Sequence, residues 1–192
     1  MRESLNKKVS GLVLAVLFAA MLATPIIGTV MAGKGQEKLD FLLHMDGYQQ
    51  PPPEKAWLTD GGTRHIQGLP WQIVEDGEFY IEVGESVAVE TIPKECLSYD
   101  GLMDIMMNTK KGMTILRVRE TITIYSDDSQ TVERGTIEIL TQGANPGGNG
   151  LMVNGHGTGE FEGIKITGLT TTTPGTGVLY VDRVGTVMGW PT

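Results

Sequence analysis

The sequence predicts an all-β protein of antiparallel strands preceded by an N-terminal hydrophobic export helix, and three observations carry that reading. Beyond residue 36 apolar and polar side chains alternate with a period of two, and helical spacing is hard to find. Turn-forming pairs such as Asp76-Gly77 punctuate the chain at short intervals. Near the start, three basic residues precede a long uncharged run.

Of the 192 residues, those beyond the export segment amount to one ordinary domain, long enough to bury a sizeable core. Charged residues make up 20% of the chain and no long polar low-complexity tract is present, so the body is neither disordered nor collagen-like. The net charge of −8 becomes −10 once residues 1–32, with Arg2, Lys7 and Lys8 against Glu3, are set aside. An acidic body argues against sequence-independent nucleic-acid binding.

The elements follow in order. Residues 9–33 carry no charge, and their densest part, 11–23, has the length of a secretory apolar core ended by Pro25. Val30 and Ala32 suit positions −3 and −1 of a cleavage site before Gly33. The alternative is an uncleaved anchor, since 25 uncharged residues can span a bilayer about 30 Å thick. Either way the body is expected outside the cytoplasm, secreted or held at the membrane through residues 1–32 alone. No Cys stands at the cleavage site, which excludes a lipoprotein anchor there. Residues 33–54 are expected to form an N-terminal strand and a Pro-rich linker, and residues 55–192 the β domain.

Within that domain Asp60-Gly61-Gly62 separates strands at 55–59 and 63–67. Asp76-Gly77 supplies the positive φ values of a type I′ hairpin between 71–75 and 78–83, and Gly84-Glu85 suits a type II′ turn into 86–91. Two long strands are predicted at 113–125 and 131–141, then shorter ones near 151–156, 161–172 and 178–187. In 113–125 Leu116, Val118, Ile122 and Ile124 share one face, while Arg117, Arg119, Thr121 and Thr123 share the other. Such two-sidedness fits a closed barrel or a sandwich; strands of 11–13 residues favour coiling around a barrel. Arg117, Arg119, Glu82 and Glu138 on outward faces argue against a transmembrane barrel.

Glycine is concentrated after residue 142, and alternate glycines on one strand face mark bends or close backbone approaches. The run Gly-x-Gly-x-Phe-x-Gly-x-x-x-x-Gly at residues 157–168 resembles the late strands of the small β-barrel proteins grouped with allene oxide cyclase and the dirigent proteins. The resemblance covers residues 100–188 in order of elements. It implies an eight-stranded antiparallel β-barrel of the calycin type with an internal cavity. Members of that group guide cyclisation or coupling of reactive small molecules, holding the substrate rather than attacking it. Their polar active-site residues do not map onto this chain one by one, so the resemblance carries the fold and leaves the catalytic residues unassigned.

Four residues are candidate ligand contacts. Glu120 has the strand parity of Val118 and Ile122, so a regular strand turns its carboxylate inward; a bulge or a place at the barrel mouth would return it to water. Asp182 and Arg183 lie on opposite faces of one strand, and Arg183 inside would pair with Glu120. His156 between two glycines has access, and Trp71, with Trp57 and Tyr80, has a face on which a carbohydrate could stack. Against these stand a satisfied loop histidine and plain aromatic packing. The three histidines are too far apart in sequence for a metal motif, and Cys96, alone and near Glu95, reads as a buried small residue. Asp127-Asp128 reads as a solvated hairpin tip.

Two functions fit. One is an exported barrel that binds a small apolar molecule, with cyclase- or isomerase-like handling of it; the other is a packed cell-surface structural or interaction domain. No cofactor, metal or nucleic-acid partner is predicted, and a homo-oligomer is left open.

Overall fold

The computed structural model describes residues 37–50, 52–84, 88–144 and 149–191, so the predicted export segment lies outside the described residues. Eleven strands follow in order: β1 (Lys38–Gln49), β2 (Lys55–Leu58), β3 (Thr63–Ile73), β4 (Phe79–Gly84), β5 (Ala88–Pro93), β6 (Leu97–Asn108), β7 (Met113–Tyr125), β8 (Glu133–Gly143), β9 (Met152–Gly157), β10 (Lys165–Pro174) and β11 (Leu179–Met188). Single 3₁₀ turns at Lys94–Cys96 and Gly159–Phe161 interrupt them, and no α-helix is present among the described residues.

Eight strands close into an antiparallel barrel in the order β3-β6-β7-β8-β9-β10-β11-β1, with β1 returning to β3. That closure is short, Gly47–Gln49 against Trp71–Ile73. Below it, the same edge of β1 pairs residues 40–45 with β4, so β3 and β4 meet β1 end to end. The β4–β5 hairpin thereby covers the rest of the seam, while β2 extends the other end of β3.

Three sequence expectations change here. The Asp76-Gly77 turn does not close a hairpin, because β3 and β4 both pair with β1 instead of with each other. Gly77 lacks the positive φ of a type I′ turn. Asp46, between the two pairings, holds the corner: its N–H donates to the Glu78 carbonyl (2.8 Å), its carbonyl accepts from the Val74 N–H (2.8 Å), and its carboxylate accepts from the Glu78 N–H (2.9 Å). Lys94 Nζ closes it by donating to the carbonyls of Val74 (2.9 Å) and Gly77 (3.1 Å). Second, β1 was expected ahead of the barrel, yet it is one of the eight staves and pairs with β11 over ten residues, so the barrel begins at Lys38. Third, β6 was not foreseen as a strand; Asp100, Gly101 and Asp104 break its pattern, and twelve paired residues of β7 hold it extended. The turn from β4 to β5 falls on residues 85–87, outside the described residues.

Inward parity is consistent around the barrel. Leu39, Phe41, Leu43 and Met45 of β1 meet Phe79, Ile81 and Val83 of β4, and Ile122 and Ile124 of β7 meet Ile137 and Ile139 of β8. Each large apolar side chain so buried contributes about 1.5–3 kcal/mol relative to exposure. Phe161 and Trp190, with ring centroids 5.0 Å apart, plug this end. The Arg134 guanidinium sits 5.2 Å over the Phe161 ring, and Trp190 Nε1 donates to Glu90 (2.8 Å). One half of the barrel is therefore packed solid.

Candidate functional site

The opposite half is hollow. A cavity of about 540 Å³ lies between β3, β6, β7 and β8 on one side and β10 and β11 on the other, with Leu151 of the β8–β9 connection contributing. Ile105, Leu116, Val118, Leu151, Leu179 and Val181 make its walls apolar. Partly or fully exposed Gln49, Met107, Thr114, Asn149 and Pro174 ring its mouth. Apart from Trp71, the side chains lining this half are non-aromatic, mainly aliphatic, Met and Thr, where the plugged end carries Phe41, Phe79 and Phe161.

Glu120 and Arg183 meet at the boundary between the two halves. Both are inward and almost fully enclosed, 2% and 3% exposed, and Arg183 Nη2 donates to Glu120 Oε1 across the barrel from β11 to β7. Parity places them there: Glu120 follows Leu116 and Val118 along β7, and Arg183 shares its face with Val181 and Val187 on β11. Arg183 lines the cavity whereas Glu120 does not, so the guanidinium forms the floor and the carboxylate lies behind it. Beside them the Tyr99 hydroxyl donates to Glu120 Oε1 at 2.7 Å. Burial first, and then the Glu120 charge, hold the Tyr99 phenol well above its ordinary pKa of 10.0, so it is protonated and a donor at neutral pH.

Tyr99 reaches this position because Gly101, directly opposite Glu120 in the β6–β7 register, has no side chain. A Cβ at Gly101 would stand 2.2 Å from the Tyr99 hydroxyl oxygen. Neither Tyr99 nor Thr141, whose buried hydroxyl lines the cavity, was singled out from sequence. A signal for Tyr99 existed in the shared parity of Leu97, Tyr99, Gly101, Met103 and Ile105.

The pair is not saturated. Among the described residues Arg183 Nε and Nη1, Glu120 Oε2, Thr141 Oγ1 and Trp71 Nε1 have no hydrogen-bond partner. A buried donor or acceptor left unpaired costs about 1–3 kcal/mol. Of these residues Arg183, Thr141 and Trp71 line the cavity, so an otherwise apolar chamber is bordered by residues with unpaired polar groups.

Of the four residues singled out from sequence, Glu120 and Arg183 come together, and Trp71 lies in the cavity wall. His156 does not join them: Val153 fixes the parity of β9, which turns His156 outward, where it lies 3.3 Å from Glu138. The aromatic platform is not assembled either. Trp57 stacks on His65 (centroids 4.7 Å), and Tyr80 stacks on His44 (5.0 Å), whose imidazole Nδ1 is 2.6 Å from Asp182. Cys96 ends a 3₁₀ turn and packs partly against the core. In comparison with known proteins, the chain matches no family model, no curated protein and no solved structure.

Proposed function

We propose that this protein is an exported binder of one small, mainly apolar molecule, held inside the barrel between the Arg183 floor and the Gln49–Asn149 rim. The observation that carries the reading is the cavity, whose roughly 540 Å³ lies within the range of about 300–1,000 Å³ usual for small-molecule sites and whose walls are apolar. An eight-stranded barrel has room inside for either side chains or one ligand. Here the two options are divided between its halves. Export rests on Arg2, Lys7 and Lys8 ahead of the apolar run. The resemblance to allene oxide cyclase and dirigent proteins supports holding and shaping a ligand over attacking it, and cyclase- or isomerase-like handling belongs to this same reading.

The test is a fluorescence titration with N-phenyl-1-naphthylamine, a neutral apolar dye. The wild-type protein should bind one dye per chain, with a blue-shifted and brighter emission. Val118→Phe and Val181→Phe, which fill the cavity from opposite walls, should abolish saturable binding while leaving the melting transition in place. Equal dye binding by wild type and both variants would place the dye elsewhere and end the reading.

A further inference from the structure

We infer that the ligand carries a neutral hydrogen-bond acceptor, a carbonyl oxygen in the simplest case, and enters with that group directed at Arg183; this rests on the cavity reading above. The floor has two properties that together select the head group. First, Arg183 lines the cavity and two of its donors, Nε and Nη1, have no hydrogen-bond partner among the described residues, so the complementary ligand atom is an acceptor. Second, Arg183 is already neutralised by Glu120, whose same oxygen, Oε1, also accepts from the neutral, protonated Tyr99. The buried cluster therefore has no net charge to offset an incoming one.

A carboxylate at this floor would leave a net negative charge in an enclosed apolar chamber, within reach of the Glu120 charge just behind the guanidinium. A ketone, ester or quinone oxygen accepts from the same N–H groups and adds no charge. An alkane leaves those donors as they are. The order of complementarity is thus neutral carbonyl before carboxylate, and the guanidinium is the group that reads the difference. Arg183 suits this role better than a lysine would, because its planar fork can hold Glu120 with one nitrogen and present others to a ligand.

The experiment uses three probes of matched chain, 2-undecanone, undecane and undecanoate, each competing with N-phenyl-1-naphthylamine, and records the infrared carbonyl stretch of bound 2-undecanone. The proteins are the wild type, Arg183→Met, and Glu120→Gln/Arg183→Met, which removes both charges while keeping an acceptor for Tyr99 should the single variant not fold. The wild type should bind 2-undecanone at least about tenfold more tightly than the charge-free variant, with undecane affinity unchanged between them. The bound carbonyl stretch should lie at lower wavenumber in wild type than in the variant. Undecanoate should be the weaker competitor of the two oxygenated probes. A carbonyl affinity and stretch that are the same in both proteins would overturn the inference while leaving the cavity reading intact. Undecanoate binding most tightly would overturn it in favour of an anion site. Failure of undecane, 2-undecanone and the dye alike would overturn the cavity reading itself.

Discussion

Gly168 of β10 and Gly185 of β11 face each other in register, and their strands run so close that neither position has room for a side chain. A Cβ on Gly168 would lie 2.3 Å from the Val184 carbonyl oxygen, and one on Gly185 would lie 2.1 Å from that of Thr167. Both obstacles are backbone, which cannot swing aside as a side chain can. This contact lets the sheet coil tightly near the plugged end of the barrel.

Gly168→Ala and Gly185→Ala should each destabilise the protein by about 1–3 kcal/mol or more, as overpacking does where the backbone must shift. The double variant should cost less than the sum, because one separation of the strands accommodates both methyl groups. Urea denaturation of the four proteins gives the comparison, and strictly additive losses would show that the two clashes are relieved independently.

The Glu120–Arg183 pair should respond asymmetrically. Glu120→Leu strands the guanidinium in the interior and removes the acceptor of Tyr99, and should cost about 3–5 kcal/mol. Glu120→Gln/Arg183→Met removes both charges and should recover most of that loss. A Glu120→Leu cost near the roughly 0.5 kcal/mol of surface substitutions would contradict the enclosed pair.

Tyr99 predicts a loss of stability at alkaline pH. Its phenol is raised well above 10.0 in the folded protein, so between that value and the folded one the unfolded chain releases a proton that the folded chain keeps. The contribution is complete below about pH 10 and is lost as pH rises through the folded pKa. Tyr99→Phe should flatten this alkaline limb, at a neutral-pH cost of about 1 kcal/mol for the missing hydrogen bond. Denaturant melts of both proteins from pH 8 to 11 would show it; parallel curves would mean that Tyr99 titrates like a free tyrosine.

The local pattern was legible in the chain. Residues 113–125 were predicted as a strand with the bounds that β7 has, because from Leu116 to Ile124 only Glu120 departs from the alternation and both ends carry turn residues. The same alternation turned Glu120 inward and made Arg183 its available partner, and the clustered glycines pointed to close backbone approach, as at Gly168 and Gly185. Tyr99 stayed hidden because β6 carries Asp100, Gly101 and Asp104, which read as turn residues until β7 and β3 pair with both edges.

What the sequence by itself determined is therefore which side chains share a face, since the period of two is a property of each extended segment alone. The tertiary structure decided which edges meet. It set β3 and β4 end to end along β1 instead of against each other, and it brought Glu120 and Arg183, 63 residues apart, into contact across the interior. Hydrogen bonding between strand edges is blind to sequence distance, so local signals cannot choose among partners. The cavity is further removed still: its volume is what remains after side chains from seven strands and a connecting loop have packed, and no single segment encodes it.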